Sequence, residues 1–142
     1  MNLTITLKDI EPVSLNHYSK ITTRGRFASK YKPAKSKEFD DAVIEQLDAY
    51  QREIFKFNSM YKHNSHYLVA EYKFFYPIFT KKNLISQKSK DVDNLIKPIQ
   101  DLIFRYISPD DSQIVSVSAT KIHSTDIKII ASYQIKSLSD IK

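Results

Sequence analysis

The run Tyr67-Leu68-Val69-Ala70-Glu71-Tyr72-Lys73-Phe74-Phe75-Tyr76 limits the fold more than any other segment. Aromatic and β-branched side chains suit a pleated, largely buried surface, so the run predicts a central strand. Pro77 cannot donate to a sheet ladder and predicts where it stops. Leu3-Thr4-Ile5-Thr6-Leu7 alternates apolar and polar residues, the period of a half-buried strand. Ile114 to Ile122 and Ile127 to Ile135 predict two more, paired as a hairpin across the polar turn His123-Ser124-Thr125-Asp126. Ser36 is placed to cap a helix running to about Phe55, with Phe39, Val43, Leu47 and Tyr50 on one face and the polar stretch Phe57 to Ser65 behind it. The order β-α-β-α-β-β predicts an α+β fold, a small mixed sheet with two main helices packed on it. A chain of 142 residues fits one domain, 1–142.

The second main helix follows Lys90-Asp91-Val92-Asp93-Asn94-Leu95-Ile96-Lys97-Pro98-Ile99-Gln100-Asp101. Asp93 or Asn94 is a candidate cap, and Pro98 fits best in the first turn. Leu95, Ile99, Leu102 and Tyr106 form one apolar stripe, with Ile96 and Ile103 beside it. At 100° per residue Lys97 and Asp101 fall opposite that stripe, in line with Asp93, so the helix buries one side and offers a charged one. Asp91 and Asp93 are two apart. An extended approach to the helix would send both side chains from one face, within reach of one hydrated cation.

The charge around these acids is uneven. Lys and Arg number 22 against 16 Asp and Glu, a formal +6 that favours a polyanionic partner. From Ser14 to Lys37 there is no acidic residue, and cations interleave with Tyr18, Phe27 and Tyr31 in what reads as a long basic loop. Such a loop either meets phosphates and stacks on unpaired bases, or is a solvated cover over the core edge. Lys81, Lys82, Lys88 and Lys90 form a second acid-free stretch leading straight into Asp91. Cysteine is absent, which leaves oxygen or histidine to hold any metal. His63-x-x-His66 has no acidic partner nearby and reads as polar surface. No apolar run approaches the roughly 18 residues of a membrane span, and Met1-Asn2-Leu3-Thr4 does not open like a signal segment, so the expectation is a cytoplasmic protein with no membrane partner.

Asp-x-Asp-Asn is not a calcium loop, because Leu95 and Ile96 stand where an EF-hand needs an oxygen ligand and a glycine. Paired carboxylates with a third acid further on suit Mg²⁺, which takes one or two protein oxygens alongside substrate phosphates. That chemistry cleaves phosphodiesters, with Lys97 placed to offset charge on the phosphoryl group. Singly, each residue has a plainer use: Asp93 or Asn94 as a cap, Lys97 as an i,i+4 partner, Asp110-Asp111 after Pro109 as a turn. Together the acids crowd a short segment where like charges repel unless a cation screens them.

Asp91-x-Asp93-Asn94-Leu95-x-Lys97, then Asp101, then Asp110-Asp111-x-Gln113-Ile114, resembles the RusA family of Holliday junction resolvases. Ser14-x-Asn16-x-Tyr18, the basic segment with Arg24-Gly25-Arg26 and the helix after it resemble that family's N-terminal half. The link from Asp101 to Asp110 is about a residue shorter than the family pattern. The resemblance implies a Mg²⁺-dependent homodimeric endonuclease, with Mn²⁺ as a substitute, that cuts four-way junction DNA symmetrically. It implies that Asp91, Asp93 and Asp111 are metal-binding catalytic carboxylates and Lys97 the catalytic lysine. The residues expected on the DNA are Asn16, Tyr18, Lys20, Arg24, Arg26, Lys30 and Lys32 of the first basic stretch, and Lys81, Lys82, Lys88 and Lys90 of the second.

A helix from Leu95 to Tyr106 carries the chain about 17 Å from Asp93. Asp111 must then either return along the helix or belong to a second subunit, where Ile96 and Ile103 are candidates for the contact. Two competing readings are a non-catalytic DNA-binding module, in which the acids only cap and turn, and a metal-dependent nuclease acting on flaps or RNA.

Overall fold

The computed structural model describes residues 1–15, 20–24, 27–86 and 90–141, with the backbone alone for 20–24 and 27–31. The strands are β1 (Asn2–Lys8), β2 (Lys20–Arg24), β3 (Phe27–Tyr31), β4 (His66–Tyr76), β5 (Ile114–His123) and β6 (Lys128–Ser137). The helices are α1 (Ala34–Leu47), α2 (Gln51–Met60) and α3 (Asp93–Ile103). The fold is α+β, with a four-stranded mixed sheet ordered β1-β6-β4-β5 and a separate two-stranded sheet of β2 and β3.

The aromatic run is the interior strand it was predicted to be. β4 is antiparallel to β6 on one side and parallel to β5 on the other. Parallel neighbours need a long crossover, and α3 supplies it. The predicted hairpin of the last two strands does not form, because β4 lies between β5 and β6. Residues 124–127 link them, and the gap they bridge is two sheet spacings, about 10 Å. On the covered face, Leu3, Ile5 and Leu7 of β1, Ile129, Ala131 and Tyr133 of β6, and Leu68, Ala70, Tyr72 and Phe74 of β4 are all buried. The opposite face carries Thr4, Ser132, Glu71 and Ser118 in one row across the four strands.

Three expectations for the N-terminal half change. The first helix begins at Ala34, where Pro33 accepts from the N–H groups of Ser36 and Lys37; Ser36 is buried inside the first turn and is not the cap. It ends at Leu47, and a 3₁₀ turn at Asp48–Tyr50 leads into α2, which extends to Met60 because Ile54 and Phe57 are buried. The basic segment is not a loop throughout: β2 and β3 pair with Arg24 opposite Phe27.

In α3 the cap is Val92, one residue before Asp93, and neither Asp93 nor Asn94 takes that role. Pro98 is the sixth residue, in the second turn, so it removes the N–H that would bond the Asn94 carbonyl. Leu95, Pro98, Ile99, Leu102 and Ile103 are buried, whereas Tyr106 lies beyond the helix and is 41% exposed. Ile103 is fully buried in the chain's own core, so it does not offer itself to a second subunit.

We expect Ile103→Ala to lower stability by about 2–5 kcal/mol through the cavity it leaves. A denaturant midpoint unchanged from wild type would place Ile103 outside the core.

Candidate active site

The α3 turn starts earlier than an extended approach would allow. The Asn94 N–H donates to the Asp91 carbonyl at 3.1 Å and the Leu95 N–H to that of Val92 at 3.2 Å. Val92 is already helical, at φ −60° and ψ −38°. Residues two apart on a helical turn diverge by about 200°, so Asp91 and Asp93 do not leave from one face. Both are exposed, and among the described residues neither side chain has a hydrogen-bond or ion-pair partner. Among the described residues no three His, Cys, Asp or Glu side chains gather as a ready metal cage. The donors nonetheless fit a hard cation that needs only one or two protein carboxylates, since both oxygen sets are free.

One helical turn on, Lys97 Nζ donates to Asp101 Oδ1 at 3.0 Å. That bond, then the Asp101 charge, and more weakly the charge of Asp111, raise the Lys97 ammonium above its ordinary value. The charge of Asp111 is therefore felt at Lys97 within the same chain. The turn leading to Asp111 is built by residues that the sequence did not single out. Asn58 of α2 donates through Nδ2 to the Tyr106 carbonyl at 3.0 Å and accepts from the Ser108 N–H at 2.8 Å. Ile107 and Pro109 are buried behind that turn.

Asp110 and Asp111 then divide the work. Asp110 caps the 3₁₀ turn Asp111–Gln113, accepting from the Asp111 N–H at 2.9 Å and the Ser112 hydroxyl at 3.0 Å. The Ser112 hydroxyl and then the Asp111 groups hold the Asp110 carboxyl below its ordinary value. Asp111 is half-buried on the turn, and Tyr61 donates to Gln113 Oε1 at 2.6 Å to pin its far end.

Beneath the helix, the Tyr72 hydroxyl donates to Gln100 Oε1 at 2.7 Å and lies 2.9 Å from that of Tyr133. Burial pushes the Tyr72 phenol far up, against the lowering effect of Tyr133's hydroxyl, and the charges of Asp111 and Asp101 add to the rise. Tyr133, wholly buried, is raised for the same first reason. Both phenols stay neutral and fix α3 on the sheet. Their signal was in the sequence: Tyr72 falls on the inward period of β4, and a buried phenol needs a partner.

At the start of α3 the chain is fastened to β5, where Lys121 Nζ donates to the Lys90 carbonyl at 2.8 Å. Lys90 in turn pairs with Glu11 at 3.0 Å and lies 5.1 Å from the Tyr76 ring centroid.

The family model described as endodeoxyribonuclease RusA matches residues 9–131. The chain belongs to the RusA family. It is thus a Holliday-junction-resolving nuclease, a hydrolase of phosphodiester bonds in DNA, and the reading as a non-catalytic DNA-binding module falls. A search of curated proteins returns no match.

Against the RusA reading, the predicted DNA contacts separate into classes. Lys81 and Lys82 are exposed on the turn after β4. Lys32 is paired with Asp40, and Lys90 with Glu11, so each is already engaged within the chain. Lys20, Arg24 and Lys30 lie on the β2–β3 hairpin. Asn16, Tyr18, Arg26 and Lys88 lie outside the described residues. Among the described residues no helix is long and apolar enough to cross a membrane.

Because both acids raise the Lys97 pKa, its charge persists through neutral pH and is lost only as pH climbs past that raised value. Asp101→Asn is expected to lower it most and Asp111→Asn by less, read from the Lys97 side-chain NMR shift against pH. No movement in Asp111→Asn would show that the charge of Asp111 does not reach Lys97.

Proposed function

We propose that the chain works as a C2 homodimer that cuts two equivalent strands of a four-way DNA junction, with Mg²⁺ as its cofactor and Mn²⁺ able to substitute. The observation that carries this reading is the RusA family match over residues 9–131, supported by the exposed, unpartnered carboxylate of Asp93 on the helix of Lys97 and by the charge of Asp111 felt at Lys97. Asp91, Asp93 and Asp111 would hold the cation, which when bound supplies charge against the phosphoryl oxygen and makes the attacking water more acidic. Lys97 keeps its proton and stands ready to offset charge that grows on the phosphoryl group. Asp101 limits the rotamers of that long side chain, so the cation is oriented before substrate arrives. Lys81, Lys82 and the cations of the β2–β3 hairpin supply phosphate contacts that hold the DNA arms. The two-fold symmetry of a junction supports the homodimer, since two equivalent cuts call for two sites related by a dyad. The DNA substrate supports a cytoplasmic location.

Purified protein with Mg²⁺ should cut a four-way junction in preference to a flap, a linear duplex or RNA, and equal cutting of flap or RNA would overturn the junction reading. Asp93→Asn is expected to abolish cleavage while junction binding stays intact or tightens, because a ligand charge is lost and the shape kept. Wild-type turnover in that variant removes Asp93 from the site. Mixing Asp93→Asn with Asp111→Asn protein should leave both centres dead if each is built within one chain. Sedimentation of a monomer at about micromolar concentration, with and without junction DNA, would refute the dimer.

A further inference from the structure

The turn after β4 shows apolar side chains to solvent in a setting that also holds them rigid. Phe79 and Ile85 face one another as an antiparallel bridge. The Thr80 N–H donates to the Leu84 carbonyl at 2.7 Å, the Ser86 N–H to Ile78 at 2.8 Å, and the Asn83 N–H to Thr80 at 3.0 Å. Asn83 takes φ 60°, the left-handed conformation that asparagine tolerates and that closes so short a turn. The base is fixed to the end of β5: His123 Nδ1 accepts from the N–H groups of Ile78 and Phe79, and its ring stacks on Phe79 with centroids 4.7 Å apart. Leu84 and Ile85 project from this frame at 65% and 67% exposure.

An ordinary surface turn of this length carries polar residues, and a braced apolar pair at a tip marks a contact surface. Its charge indicates the occupant. Between Glu71 and Asp91 the sequence has no acid, and Lys81 and Lys82 stand exposed on the same tip. Its position agrees. His123 carries the base of the turn, and Lys121, two residues earlier on the same face of β5, holds the Lys90 carbonyl beside Asp91. Residues two apart on a strand are about 7 Å apart, so the tip and the acid-bearing segment hang from one strand end.

We propose that Leu84 and Ile85 form a wedge that enters a branched DNA at its branch point, unstacking the bases there while Lys81 and Lys82 hold the adjoining phosphates. This rests on the junction-cutting reading above. Leucine and isoleucine inserted between base steps unstack and kink DNA, and a branch point already lacks continuous stacking, so the wedge enters most easily there. Phe79, held against His123, braces the tip and does not insert.

The test uses the full chain in EDTA, so that no strand is cut, with 2-aminopurine beside the branch point of a four-way junction and, separately, inside a linear duplex. Wild-type protein should raise fluorescence on the junction and not on the duplex. Leu84→Ser/Ile85→Ser should lose most of that rise and bind the junction about tenfold more weakly, the scale of one lost stacking contact, with duplex affinity kept. Either single substitution should give part of the effect. Lys81→Ala/Lys82→Ala should keep the rise at low salt while the slope of log affinity against log salt flattens by about 0.9 per lost contact. A wild-type rise in the double serine variant, or equal loss of junction and duplex binding, overturns the wedge and leaves a protein-docking patch as the use of the tip. Failure of wild-type protein to prefer the junction at all would instead overturn the reading on which the wedge rests.

Discussion

Hydrogen bonding along both edges of β4 is the constraint from which the rest of the molecule follows. A strand paired with β6 on one side and β5 on the other has no free backbone edge, and its side chains must bury on the face the helices cover. Parallel pairing with β5 obliges the chain to cross back over the sheet, and the crossing is α3. The helix that carries Asp93, Lys97 and Asp101 is thus a topological consequence of the strand, not an addition to it. Its two ends are tied down differently. Lys121 holds the backbone just before Asp91, whereas Tyr72, through Gln100, holds the second half of the helix against the centre of β4.

Much of this was legible in residue pattern alone. Composition placed β4, and spacing placed the α3 face and the charged line Asp93, Lys97 and Asp101, because strand and helix periods are local properties. What escaped was non-local. Whether β5 and β6 pair with each other or flank β4 depends on a third strand far away in sequence, and no feature of residues 124–127 decides it. The same holds for the turn leading to Asp111: it depends on Asn58, an unremarkable helix residue whose amide meets the backbone at Tyr106 and Ser108. The β2–β3 hairpin is a different kind of miss. The β-branched run Ile21-Thr22-Thr23 ahead of the chain's only glycine was a hairpin signal, outweighed by the density of positive charge.

The lysines show why charge count is a coarse guide to a nucleic-acid surface. Lys32 and Lys90 sit in acid-free sequence yet find carboxylates, Asp40 and Glu11, that arrive from elsewhere in the fold. Lys121 is partly buried and spends its charge on a backbone carbonyl. Three of the cations counted in the sequence are thus engaged within the chain, by Glu11, Asp40 and the Lys90 carbonyl.

Pro98 leaves α3 one hydrogen bond short. With no N–H at that position the Asn94 carbonyl has no α-helical donor, so the ladder lacks the one rung that would join Pro98 to Asn94. The later turns are secured by Leu102 and Ile103 in the core and by the Tyr72–Gln100 bond. The first turn is secured by the buried side chain of Leu95 and by the Lys121 bond to the Lys90 carbonyl just ahead of it. Asp93 and Lys97, both on the N-terminal side of Pro98 and four residues apart, share one face of the helix and are carried together by whatever shifts it.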